Sequence, residues 1–461
     1  MKNLTLENIA NACDGKLFLI NGDDAEKEAA SVIIDSRKCE KDCVFIATKG
    51  ERVDGHSFIN QVWENGALAV ICEDVPNEPK GNYIHVKDSF QALKDIAEFY
   101  RMQLSVKIVG IAGSVGKTST KEMVASVLAK KYSVQKTAGN FNNEVGVPLT
   151  LFSIDESHEV AVVEMGISDF GEMSRLSKIV KPDICVMTNI GPCHLENLKD
   201  LDGVLKAKSE IFESMNPSGY VILNGDDEKL RTITKVHDKT PRYFGIGSNN
   251  DVYLKDTESK GLLGTDCVIC TKAGEFRVTV PLPGQHHVLN AMAGTAVGLL
   301  LDMSLSQIAE GIQSVKSTQG RSNIIKTDNY ILIDDCYNAN PKSMKAAIDL
   351  LNNADGVKIA VLGDMFELGE NEEELHAEIG RYISNYSIDG LICIGKLSAN
   401  IYDNVKIDEC MSIYSESLDE IIDNIKEKID VICTKAGGKQ PAVLIKASHG
   451  MHFEKIVDIL K

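Results

Sequence analysis

The chain predicts an α/β protein of three domains. These are a mixed α/β region over 1–103, a central region with a phosphate loop and a mainly parallel sheet over 104–320, and a Rossmann-like doubly wound region over 321–461. Three observations carry this. Short apolar runs alternate with helical patterns through the second and third regions, which implies parallel sheets wrapped by helices. One of those runs, Val106 to Ala112, breaks into a glycine-rich turn, Gly113-Ser-Val-Gly116, that opens a helical pattern. Finally, 461 residues are too many for one ordinary core, so two to four domains are expected.

In the first region Val32–Asp35, Cys43–Ala47 and Ala67–Ile71 predict strands, and a helix over about Ser89–Leu104 leads onward. In the second, a helix runs from Lys117 to about Lys130, and Val160–Val163, Ile184–Met187 and Tyr220–Leu223 predict further strands. A β-rich insertion with Phe276–Val280 as one strand gives way to a small-residue helix around Asn290–Leu301. The third region repeats the alternation with Tyr330–Ile333, Lys358–Leu362, Leu391–Ile394 and Ala442–Ile445 as strands. No Gly-x-Gly-x-x-Gly fingerprint follows them, so dinucleotide binding is not indicated.

Composition narrows the function. A formal charge of −18 argues against coating nucleic acid or a membrane surface, so an anionic substrate must be met by local Lys, Arg and backbone N–H groups. The N-terminus has no charged leader followed by an apolar stretch, and the longest apolar run, Ala291–Leu301, is too short to span a bilayer. Twelve cysteines are scattered, several in strand-like runs (Cys72, Cys185, Cys393), which suits reduced thiols in a cytoplasmic enzyme. Cys267 and Cys270 have metal-like spacing but no second pair nearby. The expectation is a cytoplasmic protein with no nucleic-acid partner and no stable membrane insertion.

The strand–turn–helix segment points to a nucleoside triphosphate. Backbone N–H groups of Gly113, Ser114, Val115 and Gly116, at the positive end of a helix, form a nest for phosphate oxygens. Lys117 would reach the β/γ-phosphates and the Thr118 hydroxyl would ligate Mg²⁺, with Ser119 following. Ile111 occupies the first glycine position of the strict G-x-x-x-x-G-K-[ST] pattern, leaving the tighter G-x-x-G-K-[ST].

Other polar residues sit where apolar strands end, the expected place for ligand groups in open α/β sheets. Glu164 ends Val160–Val163 and is a natural second Mg²⁺ ligand, direct or through water. Asn189 and His194 follow Ile184–Met187, although a lone His after a strand carries little weight by itself. Lys208 lies in a helical stretch and reads as a solvated surface lysine. The turn Asp334-Asp-Cys-Tyr-Asn-Ala-Asn-Pro341 packs two acids, two asparagines and a tyrosine. Pro341 looks like the first residue of the next helix with Asn340 its cap, whereas Asp335 and Asn338 have no such structural role.

Taken together, these residues resemble the Mur ligase family of ATP-dependent amide-forming enzymes. Ile34–Arg37 and Lys49–Phe58 are similar to the family's uridine-nucleotide-binding segment. The phosphate loop, Asn140–Pro148, Glu164–Gly166, Asn189–His194, Ala207–Ile211, Gly284–Asn290, Arg321, Asp335–Pro341, Leu362–Gly369 and Lys446–Gly450 follow in family order. Cys336 stands where relatives commonly carry Ser.

The resemblance implies a UDP-binding first domain, in which Ser36, Arg37 and Lys49 touch substrate. It implies ATP on Gly113–Ser119 with Asn290, Arg321, Asp335 and Asn338, and Mg²⁺ on Thr118, Glu164 and His194. Further substrate contacts fall to Asn140, Asn142, Asn143, Tyr337, Lys446 and Ser448, and the catalytic set to Lys117, Glu164, His194 and Lys208. The Lys208 equivalent is carbamylated in sister ligases. The implied partners are UDP-N-acetylmuramoyl-tripeptide and D-alanyl-D-alanine, joined through an acyl phosphate by an enzyme expected to be a monomer. A sister ligase or a folylpolyglutamate-type enzyme is the nearest rival. The Asp-Asn-Pro-Arg motif of some tripeptide-forming relatives is absent, as is the Asn-Lys-x-Asp segment a GTPase would need.

Overall fold

Three sheets, one per predicted region, organise the chain. The computed structural model describes residues 1–461 apart from 21, 23, 51, 52, 408, 409, 438 and 439, so Glu51 and Arg52 of the Lys49–Phe58 segment lie outside the described residues. The first sheet has five strands in the order Lys16–Phe18, Tyr83–His85, Ala69–Cys72, Cys43–Ile46 and Ser31–Ile33; only the Lys16–Phe18 pairing is antiparallel.

The central sheet has nine strands, with Lys107–Ala112 between Val160–Glu164 and Ile184–Met187. The insertion is not a separate body. Its strand Val252–Ser259 joins the same sheet parallel to Arg242–Gly245, and Thr265–Thr271 and Gly274–Val280 extend it antiparallel. The third sheet has six strands in the order Asn323–Lys326, Ile331–Asp334, Ala442–Lys446, Lys358–Gly363, Gly390–Ile394 and Met411–Ser415, parallel but for the first.

The small-residue helix, Gln285–Leu300, lies against the phosphate-loop helix Lys117–Leu128 and the helix Leu305–Gln313. Bare glycine surface allows that approach: a Cβ on Gly298 would meet the Ile308 Cγ1 at 2.9 Å and the Val127 Cγ1 at 3.3 Å. The helix Ser89–Gln103 closes the seam between the first two sheets. Its Tyr100 hydroxyl donates to the Ile154 carbonyl at 2.7 Å and its Arg101 Nε donates to the Val180 carbonyl at 2.8 Å. A single apolar layer, including Leu93, Ile96, Val106, Leu151 and Leu176, therefore runs from the first domain into the second.

Lys208 departs from its expected place. It is 1% exposed, on the buried face of the helix Leu201–Ser209 beside Val204 and Ala207, and is not a solvated lysine. Among the described residues no helix is long and apolar enough to cross a membrane.

Candidate active site

A cleft of about 750 Å³ opens where the central and third domains face each other. Its floor is the phosphate loop. Gly113 has φ +148°, and a Cβ there would lie 2.0 Å from the Thr188 Oγ1; Gly116 has φ +84° and begins the helix. The following strand end braces the loop. Ser114 N donates to the Asn189 carbonyl at 2.9 Å, Val115 N to Asn189 Oδ1 at 3.0 Å, and Asn189 Nδ2 and Thr188 Oγ1 return bonds to the Val115 carbonyl at 2.8 and 2.7 Å. The expected nest is corrected accordingly: the Ser114 and Val115 amides are occupied by Asn189. The donors left for phosphate include the Gly116 amide and those of the first helical turn, Lys117 to Ser119, which have no intrahelical partner.

Lys117 curls back on the loop, its Nζ donating to the Gly113 carbonyl at 2.9 Å. Burial lowers its pKa, with Arg321 pushing the same way and Glu164 and Cys193 opposing. Glu164 is 1% exposed. Its Oε1 accepts from Thr118 Oγ1 at 3.1 Å and from Asn142 Nδ2 at 2.8 Å, while its Oε2 has no hydrogen-bond partner. The nearest cation to Oε2 is Lys121, at 3.7 Å, whose Nζ is spent on the Thr137 carbonyl at 2.8 Å. A buried carboxylate oxygen left without a hydrogen bond, beside a hydroxyl at a phosphate loop, fits a hard divalent cation. Among the described residues no group of three or more His, Cys, Asp or Glu could hold a metal by itself.

His194 stands in the left-handed region, φ +51°, with Nδ1 2.8 Å from Glu367 Oε2 of the third domain. Burial holds its imidazole below the ordinary value; Lys208 and Lys117 add to this and Glu367 opposes it. Burial, reinforced by Lys117, also brings the Lys208 amine down to about 8. Lys117 and His194 thus line the cleft beside the loop, and the buried Lys208 behind them is near enough to disfavour the charge on His194 and to feel that of Lys117.

The upper wall comes from the third domain and the small-residue helix. Asn290 Oδ1 accepts from Thr120 Oγ1 at 2.9 Å. The Arg321 guanidinium lies 4.0 Å from the Tyr337 ring centroid, and Tyr337 stacks on His449 at 5.3 Å. Asp335 has a structural task after all. Its Oδ2 accepts from the buried Lys446 Nζ at 2.6 Å and its Oδ1 from Ser322 N at 2.9 Å, while Lys446 also donates to the Asn338 carbonyl at 2.9 Å. Asn140, Asn142 and Asn143 line the lower rim, with Asn143 Oδ1 accepting the Gly146 amide at 2.9 Å. Asn340 caps the helix Pro341–Asn352 as expected.

Besides Gly113 and the buried Lys208, four expected residues lie outside the cleft lining. Ser448 is buried and its Oγ accepts the Phe366 amide at 2.9 Å, behind the cleft wall. Ser36, Arg37 and Lys49 belong to the first domain and do not line this cleft. Arg37 forks onto Asp35 at 2.9 and 2.8 Å and holds that carboxyl down to about 2; Lys49 faces Asp74 at 3.0 Å. The cleft adds residues that sequence reading passed over: Thr188, His286 and Glu367 line it, and Lys121 lies behind Glu164. His286 and Glu367 fall inside the Gly284–Asn290 and Leu362–Gly369 segments, and Lys121 follows Lys117 by one helical turn.

Comparisons with known proteins agree along the chain. Family models match residues 28–103 (Mur ligase family, catalytic domain), 111–298 (Mur ligase middle domain) and 320–449 (Mur ligase, glutamate ligase domain). The UDP-N-acetylmuramoyl-tripeptide–D-alanyl-D-alanine ligase of Bacillus subtilis is 39% identical, over 98% of this chain and 97% of its own. A crystal structure of MurF from Acinetobacter baumannii superposes with a TM-score of 0.89 at 31% identity, covering 99% and 98% of the two chains. The MurF ligase of Thermotoga maritima in complex with ADP gives 0.81 at 29% identity, covering 93% and 96%.

Proposed function

The chain belongs to the Mur ligase family, and from that premise we propose that it joins D-alanyl-D-alanine to the terminal carboxylate of UDP-N-acetylmuramoyl-tripeptide at the expense of ATP. One observation supports this most: a single cleft carries a phosphate loop, a metal-fitting carboxylate and a cationic pocket on one wall, and Arg321, Tyr337, Asp335 and Lys446 on the other.

The tripeptide carboxylate attacks the γ-phosphorus of ATP, the bond to ADP breaks, and an acyl phosphate forms. The dipeptide amine then attacks the acyl carbon, phosphate leaves, and the nitrogen loses a proton as the amide forms. Lys117 swings from the Gly113 carbonyl to the transferring phosphate, and the helix-start amides hold its oxygens. Thr118, Glu164 and His194 would hold Mg²⁺, which supplies neutralisation of phosphate charge. Asn142 fixes Glu164 for this task, and the two walls exclude water from the acyl phosphate when they close. Each of the three domains, 1–103, 104–320 and 321–461, takes one part of the work: UDP-substrate, ATP, and dipeptide with the far side of the nucleotide. One monomer suffices, and the cytoplasm is where ATP and UDP-linked precursors meet it.

Crossing UDP-tripeptide against a panel of amino acids and dipeptides in a phosphate-release assay tests the reading. Release is expected with D-alanyl-D-alanine and not with free amino acids; release driven by a single amino acid would assign the chain to a sister activity.

Two further outcomes follow. Arg37 is largely exposed, with its fork turned on Asp35, and is available to a pyrophosphate or carboxylate. Arg37→Ala should weaken UDP-tripeptide binding about 10- to 100-fold while leaving ATP binding unchanged in calorimetry. Equal losses for both would contradict the division between domains. The lowered pKa of Lys208 leaves a neutral amine accessible near neutral pH, the form that can take up CO₂. If it does, Lys208→Ala should be nearly inactive and acetate should restore part of the turnover. Activity retained in Lys208→Arg with no acetate effect would show that the reaction needs no carbamate at Lys208.

A further inference from the structure

We propose that Glu367 is a positioning residue for His194: from the third domain it fixes the tautomer and ring direction of a histidine in the central domain, so that the phosphate site is complete only when the two domains meet. The inference rests on the ligase reading above and extends it to a residue outside the expected set.

The contact itself is directional. Glu367 Oε2 lies 2.8 Å from His194 Nδ1, and an ionised carboxylate can only accept. Nδ1 therefore carries the hydrogen, and Nε2, on the far side of the ring, is left with its lone pair free for a ligand. Both partners hold backbone conformations unusual for side-chain-bearing residues, with φ +51° at His194 and +61° at Glu367.

The turn that presents Glu367 is tied down from behind. Asp364 Oδ1 accepts from Ser398 N at 2.7 Å and Ser398 Oγ at 2.6 Å, and the Asp364 carbonyl accepts Ser448 N at 3.0 Å. The Met365 amide donates to His376 Nε2 at 2.9 Å and the Phe366 amide to Ser448 Oγ at 2.9 Å. Asp364, His376, Ser398 and Ser448 are all buried. The side chain this network delivers is a carboxylate left 65% exposed, and a pair so open to water adds little to stability. Its value is orientation.

Glu367→Gly separates the two possibilities, because glycine takes φ +61° without strain and removes only the carboxylate. The variant should melt at or above the wild-type temperature. Its kcat for ligation should fall about 10- to 100-fold, as with lost partners of ligating histidines elsewhere, while KM for ATP stays within about threefold. Nitrogen-15 NMR of the histidine rings, with neither nucleotide nor metal present, should show one Nδ1–H tautomer for His194 in wild type and a mixture in Glu367→Gly. Wild-type kcat in Glu367→Gly, or an unchanged His194 tautomer, overturns the proposal. Wild-type protein without ligation would overturn the ligase reading instead, and the tautomer measurement would stand apart from it.

Discussion

Lys117→Ala should lower kcat for ligation about 10²- to 10³-fold, the cost of removing one preorganised charge from a developing anionic transition state. The fold should survive. Lys117 Nζ is held only by loop carbonyls, at 2.9 Å from Gly113 and 3.4 Å from Ser114, and burial already disfavours its charge. Removing a desolvated cation relieves that cost, so the variant should melt at or slightly above the wild-type temperature. The bracing of the loop does not pass through this side chain: it runs from Asn189 and Thr188 to Val115. Steady-state turnover within a few-fold of wild type would remove Lys117 from phosphoryl transfer, and a large drop in melting temperature would show that it props the loop.

Lys446→Ala should give the largest loss of stability at the site, about 3–5 kcal/mol in urea unfolding, because it strands a buried carboxylate. Lys446 is 1% exposed and its Nζ is 2.6 Å from Asp335 Oδ2. The same ammonium binds the Asn338 carbonyl at 2.9 Å, so it also holds the turn between the strand Ile331–Asp334 and the helix Pro341–Asn352. Removing both charges, in Asp335→Asn with Lys446→Met, should cost less than removing the lysine alone, since no ion is then left unpaired. A single variant within about 1 kcal/mol of wild type would mean that solvent reaches Asp335, contrary to the burial of its partner.

The parts legible in the sequence were those with strong local signals. Strands inside the sheets, such as Cys43–Ile46, Gly390–Ile394 and Ala442–Lys446, are covered on both faces and read as apolar runs. The edge strands Lys16–Phe18, Val134–Lys136, Asn323–Lys326 and Met411–Ser415 face water along one side, keep only partial burial, and left no such run. The phosphate loop was legible because strand, glycines, Lys-Thr and helix are contiguous. Lys208 was misread because its surroundings are tertiary: a helical pattern with lysines on several faces does not say which one turns inward. The role of Glu367 and the pairing of Asp335 with Lys446 escaped for the same reason, since the partners lie 173 and 111 residues away in the chain. Ser448, expected on the substrate, holds the Phe366 amide instead, a job no local pattern announces.

The central claim is that this cleft activates a carboxylate with the γ-phosphate of ATP before the amine arrives. It is tested most directly by preparing UDP-tripeptide with oxygen-18 in its terminal carboxylate and analysing the phosphate released during ligation with D-alanyl-D-alanine. The account predicts one oxygen-18 atom transferred to each phosphate from a doubly labelled carboxylate, because the P–O bond forms to that oxygen and the C–O bond breaks when the amine attacks. Phosphate carrying no label, with amide formed at the normal rate, would contradict it.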